Sequence, residues 1–202
     1  MNSLSFVPDG FGAFTMGKLG CDMVDGQLTT DLTANDGYGI TSVAIHEYGD
    51  YTLSGVGSTT TQVSATVSAL LRISEVNGIA INPITTTLRD NASYNLVSDG
   101  NGTDSWSLSV VFDTDDILAA ERDVLAAAGI TDGLVTQATL TFDNSLFAVS
   151  ELTSSAFIAK KLVDIEVGAQ QVPEPSTLAL VSIGALFLLG RTWHKRRSAQ
   201  VA

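Results

Sequence analysis

The chain has 202 residues, with 10 basic against 22 acidic side chains for a net charge of −12, and only 16% of residues are charged although 45% are hydrophobic. That length suits one domain with an appendage. So acidic a chain repels phosphate backbones, which excludes nucleic-acid binding, and a single cysteine, Cys21, excludes an internal disulfide.

Residues 1–27 are rich in glycine (Gly10, Gly12, Gly17, Gly20, Gly26), so one or two short strands joined by turns are expected there. Met1 to Asp9 has neither a basic segment nor an apolar run of the kind that opens an export signal, and such a signal is expected upstream of this start. Cys21 is expected as a small buried apolar residue or an incidental thiol. Leu28–Thr33, Tyr38–Glu47 and Asp50–Leu53 have the composition of strands, separated by Asn35-Asp36-Gly37 and by Gly49-Asp50.

The strongest strand pattern runs from Thr61 to Val76. Val63, Ala65, Val67, Ala69, Leu71 and Ile73 share one face, and Gln62, Ser64, Thr66, Ser68 and Arg72 share the other. Asn77-Gly78 then predicts a tight hairpin, because both turn positions require positive φ. Beyond Pro83, strands are expected over Ile84–Arg89 and Ser93–Ser98, followed by a loop over Asp99–Asp104. A further strand places Trp106, Leu108, Val110 and Phe112 on its core face.

One helix is predicted at about 114–128, capped by Asp113 or Thr114, with Asp115 and Asp116 at its positive end and Gly129 as its stop. Strands resume at Leu134–Phe142, Leu146–Leu152 and Ala156–Val167, with Asn144 in the first connection and Phe157, Ala159, Val163, Ile165 and Val167 in phase. Short strands at this spacing predict a mainly β fold. The expected form is an antiparallel β-sandwich or jelly-roll over residues 1–171 with one inserted helix.

Candidate chemistry in this body is sparse. Asp99, Asn101 and Asp104 are the densest oxygen ligands and are calcium candidates, yet the loop lacks the glycine and the terminal glutamate of an EF-hand, so turn formation is the competing expectation. His46-Glu47 lacks the second histidine of a zinc-protease helix. Ser54-Gly55-Val56-Gly57-Ser58 is expected to be a flexible turn, since no lysine or helix follows to make a phosphate loop. Trp106 with Tyr38, Tyr48, Tyr51 and Tyr94 would suit either a sugar-stacking face or core packing. No nucleophile elbow occurs, and no carboxylate pair stands out as the acid and base of a glycoside hydrolase.

The last thirty residues differ in kind. Residues 1–171 hold six basic and 21 acidic side chains, a balance of −15, whereas residues 172–202 hold Arg191, Lys195, Arg196 and Arg197 against Glu174 alone, a balance of +3. Val172-Pro173-Glu174-Pro175-Ser176 cannot be continuous helix, because each proline forces extended geometry on the residue before it. From Ser176 to Gly190 the chain is apolar for about 22 Å of helix, short against a hydrocarbon core of roughly 30 Å. With Trp193 as an interfacial anchor, a single transmembrane helix is expected at about 176–193. The basic end, residues 191–197, would face the cytoplasm, with His194 in the same charged segment.

A Pro-Glu-Pro triplet, a short apolar run and an arginine-rich stop, in that order over residues 172–197, resemble the PEP-CTERM sorting signal of exopolysaccharide-producing bacteria. The resemblance implies that Pro173, Glu174 and Pro175 are substrate residues of a membrane-embedded, exosortase-like protease. That enzyme would take the chain from the inner membrane, with its domain on the outer side, to the cell surface or extracellular matrix. On this basis the chain is expected to be a non-enzymatic surface or matrix protein needing no cofactor, whose partners are the exosortase, the lipid bilayer and possible exopolysaccharide. A carbohydrate- or calcium-binding module of the same fold is the alternative, and a secreted hydrolase stands behind both.

Overall fold

The computed structural model describes residues 2–17 and 19–172. The expected sorting triplet Pro173, Glu174 and Pro175, the apolar span 176–193, His194 and the basic residues Arg191, Lys195, Arg196 and Arg197 lie outside the described residues. Nine strands follow in order: β1 (Asn2–Phe6), β2 (Gly12–Met16), β3 (Gly20–Thr33), β4 (Tyr38–Gly55), β5 (Gln62–Val76), β6 (Ile79–Asn95), β7 (Gly102–Asp113), β8 (Val135–Ser150) and β9 (Ser154–Gln171). Two short helices, α1 (Thr114–Ala120) and α2 (Arg122–Ala127), sit between β7 and β8. Among the described residues, no helix is long and apolar enough to cross a membrane.

The strands form one antiparallel sheet whose pairings fall into two blocks. In one, β8 pairs with β3 and with β5, and β5 pairs with β6. In the other, β9 pairs with β1, β2 and β4, and β4 pairs with β7. The register pair Ile40↔Val135 links β4 to β8 and so joins the blocks. Both blocks contribute to a single hydrophobic core, in which Val63, Val67 and Leu140 from the first join Ile45, Phe112 and Val163 from the second.

Period-two alternation produces this arrangement wherever it is unbroken. All six apolar positions expected on β5 are buried, as are Trp106, Leu108, Val110 and Phe112 on β7. The hairpin after β5 forms as its sequence requires, with φ of 54° at Asn77 and 75° at Gly78. Asn77 also fastens the segment before β8, since its Nδ2 donates to the Asp132 carbonyl and its Oδ1 accepts from Leu134 N.

Several strands are longer than local sequence suggests. β6 continues through Pro83, which is tolerated because β6 is an edge strand and a register shift opposite Ile73/Glu75 leaves the proline out of the regular ladder. β4 continues through Gly49-Asp50, where no turn forms. Gly49 is a packing residue: a Cβ there would overlap the Ala159 carbonyl oxygen and the Trp106 indole, whose Nε1 donates to that same carbonyl at 3.2 Å. β8 likewise runs unbroken through Asn144, which points into the core and is 7% exposed.

On β9 the inward set changes phase. Ala156, Ile158 and Lys160 face the core before the break, and Val163 and Ile165 after it, so Phe157 and Ala159 do not share a face with Val163 as expected. β1 and β2 lie end to end along β9, and the pairing steps from Phe6↔Val163 to Gly12↔Ala159, with Lys160 N bonded to the Phe11 carbonyl between them.

The predicted single helix is two. Asp113 caps α1, its Oδ1 accepting from the amides of Asp115 and Asp116, but Glu121 leaves helical geometry at φ −110° and ψ 35°. Its amide bonds to the Leu118 carbonyl, tightening the turn, while Leu118 and Leu125 on either side remain anchored in the core. Gly129, at φ 76°, ends α2 as expected. Cys21 lies exposed on β3, because its side chain falls on the outward phase of an edge strand.

Candidate functional site

Two arrangements of polar side chains stand out on this scaffold. The first is buried. Glu47 on β4 and Lys160 on β9 form an ion pair, Nζ to Oε2 2.8 Å, with side chains 1% and 3% exposed. The ammonium also lies 5.0 Å from the centroid of the Phe11 ring, carried by the loop between β1 and β2. Asn144 of β8 lies beside the same carboxyl, on which it acts as a minor lowering influence. Glu47 Oε1 and Asn144 Oδ1 are buried without a partner.

Burial dominates the electrostatics of this centre. It raises the Glu47 carboxyl above the ordinary carboxylate range, opposed by the Lys160 charge and hydrogen bonds. It lowers the Lys160 ammonium, opposed by Glu47. Both shifts favour the neutral forms, a carboxylic acid beside an amine.

The second arrangement is an exposed clamp between two loops. Glu151, after β8, accepts from Ser58 N at 2.6 Å, from Ser58 Oγ at 3.0 and 3.1 Å and from Thr61 Oγ1 at 3.3 Å. Thr61 in turn shares a 2.7 Å hydrogen bond with Ser154. These donors, the Ser58 amide foremost, hold the Glu151 carboxyl below the ordinary range. The segment Ser54–Ser58, expected to be a free turn, is therefore tied down, with Val56 N also bonded to the Thr153 carbonyl.

Of the calcium candidates, Asp99 and Asn101 sit in the loop between β6 and β7 and Asp104 lies within β7, paired with Tyr51, so the expected loop ends earlier than Asp104; each carboxylate or amide oxygen serves a backbone amide. Asp99 accepts from Asn95 N, Asn101 from Gly55 N and Asp104 from Ser105 N. Among the described residues, no group of three or more His, Cys, Asp or Glu side chains could hold a metal ion. Trp106 is 2% exposed and belongs to the core, Tyr51 stacks on Tyr94 with centroids 4.1 Å apart, and Tyr38 and Tyr48 are exposed. Burial, with Asp99 and Asp104 nearby, raises both Tyr51 and Tyr94. His46 Nδ1 bonds Ser109 Oγ at 3.0 Å across the β4–β7 pair.

Local sequence placed Asn144 in a turn and left Lys160 as one charge among six. The available signal was phase: Glu47 shares an apolar face with Ile45 and Tyr51, and Lys160 shares one with Ala156 and Ile158. Charged residues on inward phases of two strands point to a buried pair.

The body is thus a mainly β, antiparallel domain with two short helices, and its last strand, β9, ends at Gln171. Residues 171–197 match the PEP-CTERM protein-sorting motif, so the chain carries that motif at the position its Pro-Glu-Pro triplet indicated. No curated protein matches the chain. Similar solved structures include that of the infectious bursal disease virus Gx strain (10% identity, TM-score 0.27, covering 94% of this chain and 50% of that chain). Others are dimeric latent PorU from Porphyromonas gingivalis (10%, 0.28, 72% and 10%) and basic winged bean lectin with Tn-antigen (7%, 0.27, 82% and 99%). The chain spans half the length of the first of these. At such TM-scores the likenesses carry no argument about what this chain does.

Proposed function

We propose that this chain is a non-enzymatic exported protein of the cell surface or extracellular matrix, built as a β-sandwich and delivered by its C-terminal signal. The observation that carries this reading is the PEP-CTERM motif at residues 171–197, which begins where β9 ends. An exosortase-type membrane protease would recognise Pro173-Glu174-Pro175. The apolar run to Gly190 would hold the chain in the inner membrane, with Arg191, Lys195, Arg196 and Arg197 on the cytoplasmic side and the acidic body outside. An apolar run of about 22 Å suits a temporary hold better than a lasting anchor.

The acidic body supports the same reading, since repulsion between like-charged copies and from anionic headgroups favours a soluble, displayed domain over a membrane-bound one. The test is replacement of Pro173, Glu174 and Pro175 by alanine in a host that has an exosortase. The variant should keep its fold and stay in the membrane fraction, while the parent moves on to the surface or medium. Identical fractionation of the two would sink the assignment.

A further inference from the structure

Glu47, Asn144 and Lys160 come from three different strands, yet they meet at one level of the core. Asn144 lies eight residues before Leu152, in the connection between β8 and β9, and Lys160 lies eight residues after it. Glu47 lies eight residues before Gly55, which packs against Thr153 of the same connection. Strands advance by about 3.3 Å per residue, so equal spacing from a shared end sets all three side chains at similar height. All three point inward, at 1%, 7% and 4% exposure for Glu47, Asn144 and Lys160.

The grouping is chemically specific: an amine, a carboxamide and a carboxyl able to move protons between them, with the Phe11 ring 5.0 Å from the amine. As an ion pair it is poorly made, because Glu47 Oε1 and Asn144 Oδ1 lack partners. A buried pair with unsatisfied oxygens is a costly way to hold two strands. As the reactants of an amide-forming reaction, the same groups share one level of the core, with Glu47 beside both the amine and the carboxamide.

We propose that Lys160 and Asn144 join in an intramolecular amide bond, formed with Glu47 as the proton-transfer residue and linking β8 to β9 across the core. Lys160 first passes a proton to Glu47 across their 2.8 Å contact, which leaves a neutral amine and a carboxylic acid. The low-dielectric site favours this state, in keeping with the opposite shifts of the two groups. The Nζ lone pair attacks Cγ of Asn144, and the carbonyl electron pair moves to Oδ1. Glu47 gives its proton to Nδ2 and takes one from Nζ. The Cγ–Nδ2 bond then breaks, ammonia leaves, and Glu47 remains protonated beside the new secondary amide. No oxidant, metal or co-substrate is consumed. Fixed proximity replaces the entropy cost of bringing amine and amide together, and the product no longer contains a buried ammonium.

Because β8 belongs to one block of strands and β9 to the other, the bond would tie the two covalently. The chain has no disulfide to do so, Cys21 being its single cysteine.

The experiment is mass spectrometry of the purified full chain. The intact mass should fall short of the sequence mass by one ammonia. Trypsin should fail to cut after Lys160, and since Asn144 and Lys160 lie on one tryptic peptide, a second digest with a glutamate-specific protease, which cuts after Glu151, should leave a branched peptide joining the segments around residues 144 and 160. Full sequence mass in the folded protein, with Asn144 and Lys160 in separate unmodified peptides, would overturn the proposal. So would loss of ammonia without the branched peptide, which would mean that Asn144 has cyclised on its own backbone. Glu47→Gln and Asn144→Ala, each checked for native circular dichroism, should both return the unbranched sequence mass. An undiminished branch in folded Glu47→Gln would remove Glu47 from the reaction, and should that variant not fold, the parent's own peptide map still decides.

Discussion

Glu47 and Glu151 are both tied to neighbouring strands and loops by hydrogen bonds, yet their environments act on them in opposite directions. Glu151 is half-buried at the surface with hydrogen bonds from the Ser58 amide and hydroxyl and from a threonine, and its carboxyl is held low. Glu47 is buried with one strong partner, and its carboxyl is pushed high. Hydrogen bonds to an exposed carboxylate add to a charge that water already supports. Inside the core the loss of hydration exceeds what a single ammonium returns. The exposed clamp therefore works as an ordinary ionised staple, and the buried centre is held under electrostatic stress.

The largest way to break this contrast is to remove one buried partner. Glu47→Ala should destabilise the domain by about 3–5 kcal/mol, because it strands the Lys160 charge in the core. Replacing Glu47 and Lys160 together by methionine should recover the part of that loss that the stranded charge causes, though not the part due to the missing cross-link. Denaturant melts of parent, single and double variants check both statements, and a double variant no better than the single would show that the penalty is not electrostatic. Gly49→Ala, beside the same centre, should cost about 1–3 kcal/mol by forcing Trp106 off the Ala159 carbonyl. Indole fluorescence would report the displacement, and an unchanged spectrum with unchanged stability would contradict that account.

Smaller effects are expected of exposed carboxylates. Asp113→Ala should cost about 1 kcal/mol, since it removes the acceptor for two amides at the start of α1. The mildest is Glu151→Gln, and its signature is pH dependence. The folded carboxyl is depressed, so its contribution is fully present above the ordinary glutamate range and fades as pH falls through its lowered value. The stability gap between parent and Glu151→Gln should therefore close on acidification. A gap that is constant down to strongly acidic pH would mean that shape, not charge, joins the loops.

Much of the fold was legible because β5 and β7 alternate without interruption and Asn77-Gly78 admits one kind of turn. Asp113 and Gly129 were legible for the same reason, their chemistry being complete within a few residues. Where local signals misled, a neighbour had overruled them. Gly49 looks like a turn until Trp106 is seen to occupy the space its missing side chain leaves. Pro83 looks like a break until β6 proves to be an edge strand. Asn144 has turn chemistry but sits in mid-strand, because β3 and β5 pair with it on both sides.

By itself the sequence determined the mainly β class, the acidic character of the body and the sorting motif at residues 171–197, since composition and a contiguous motif need no partner from elsewhere in the chain. Only the tertiary structure decided that Glu47, Asn144 and Lys160 meet. They are separated by up to 113 residues in the chain and converge because strand pairing sets their level and each lies on the inward phase of its own strand. Convergence of that kind depends on register between strands, and register is a property of pairs rather than of any one stretch.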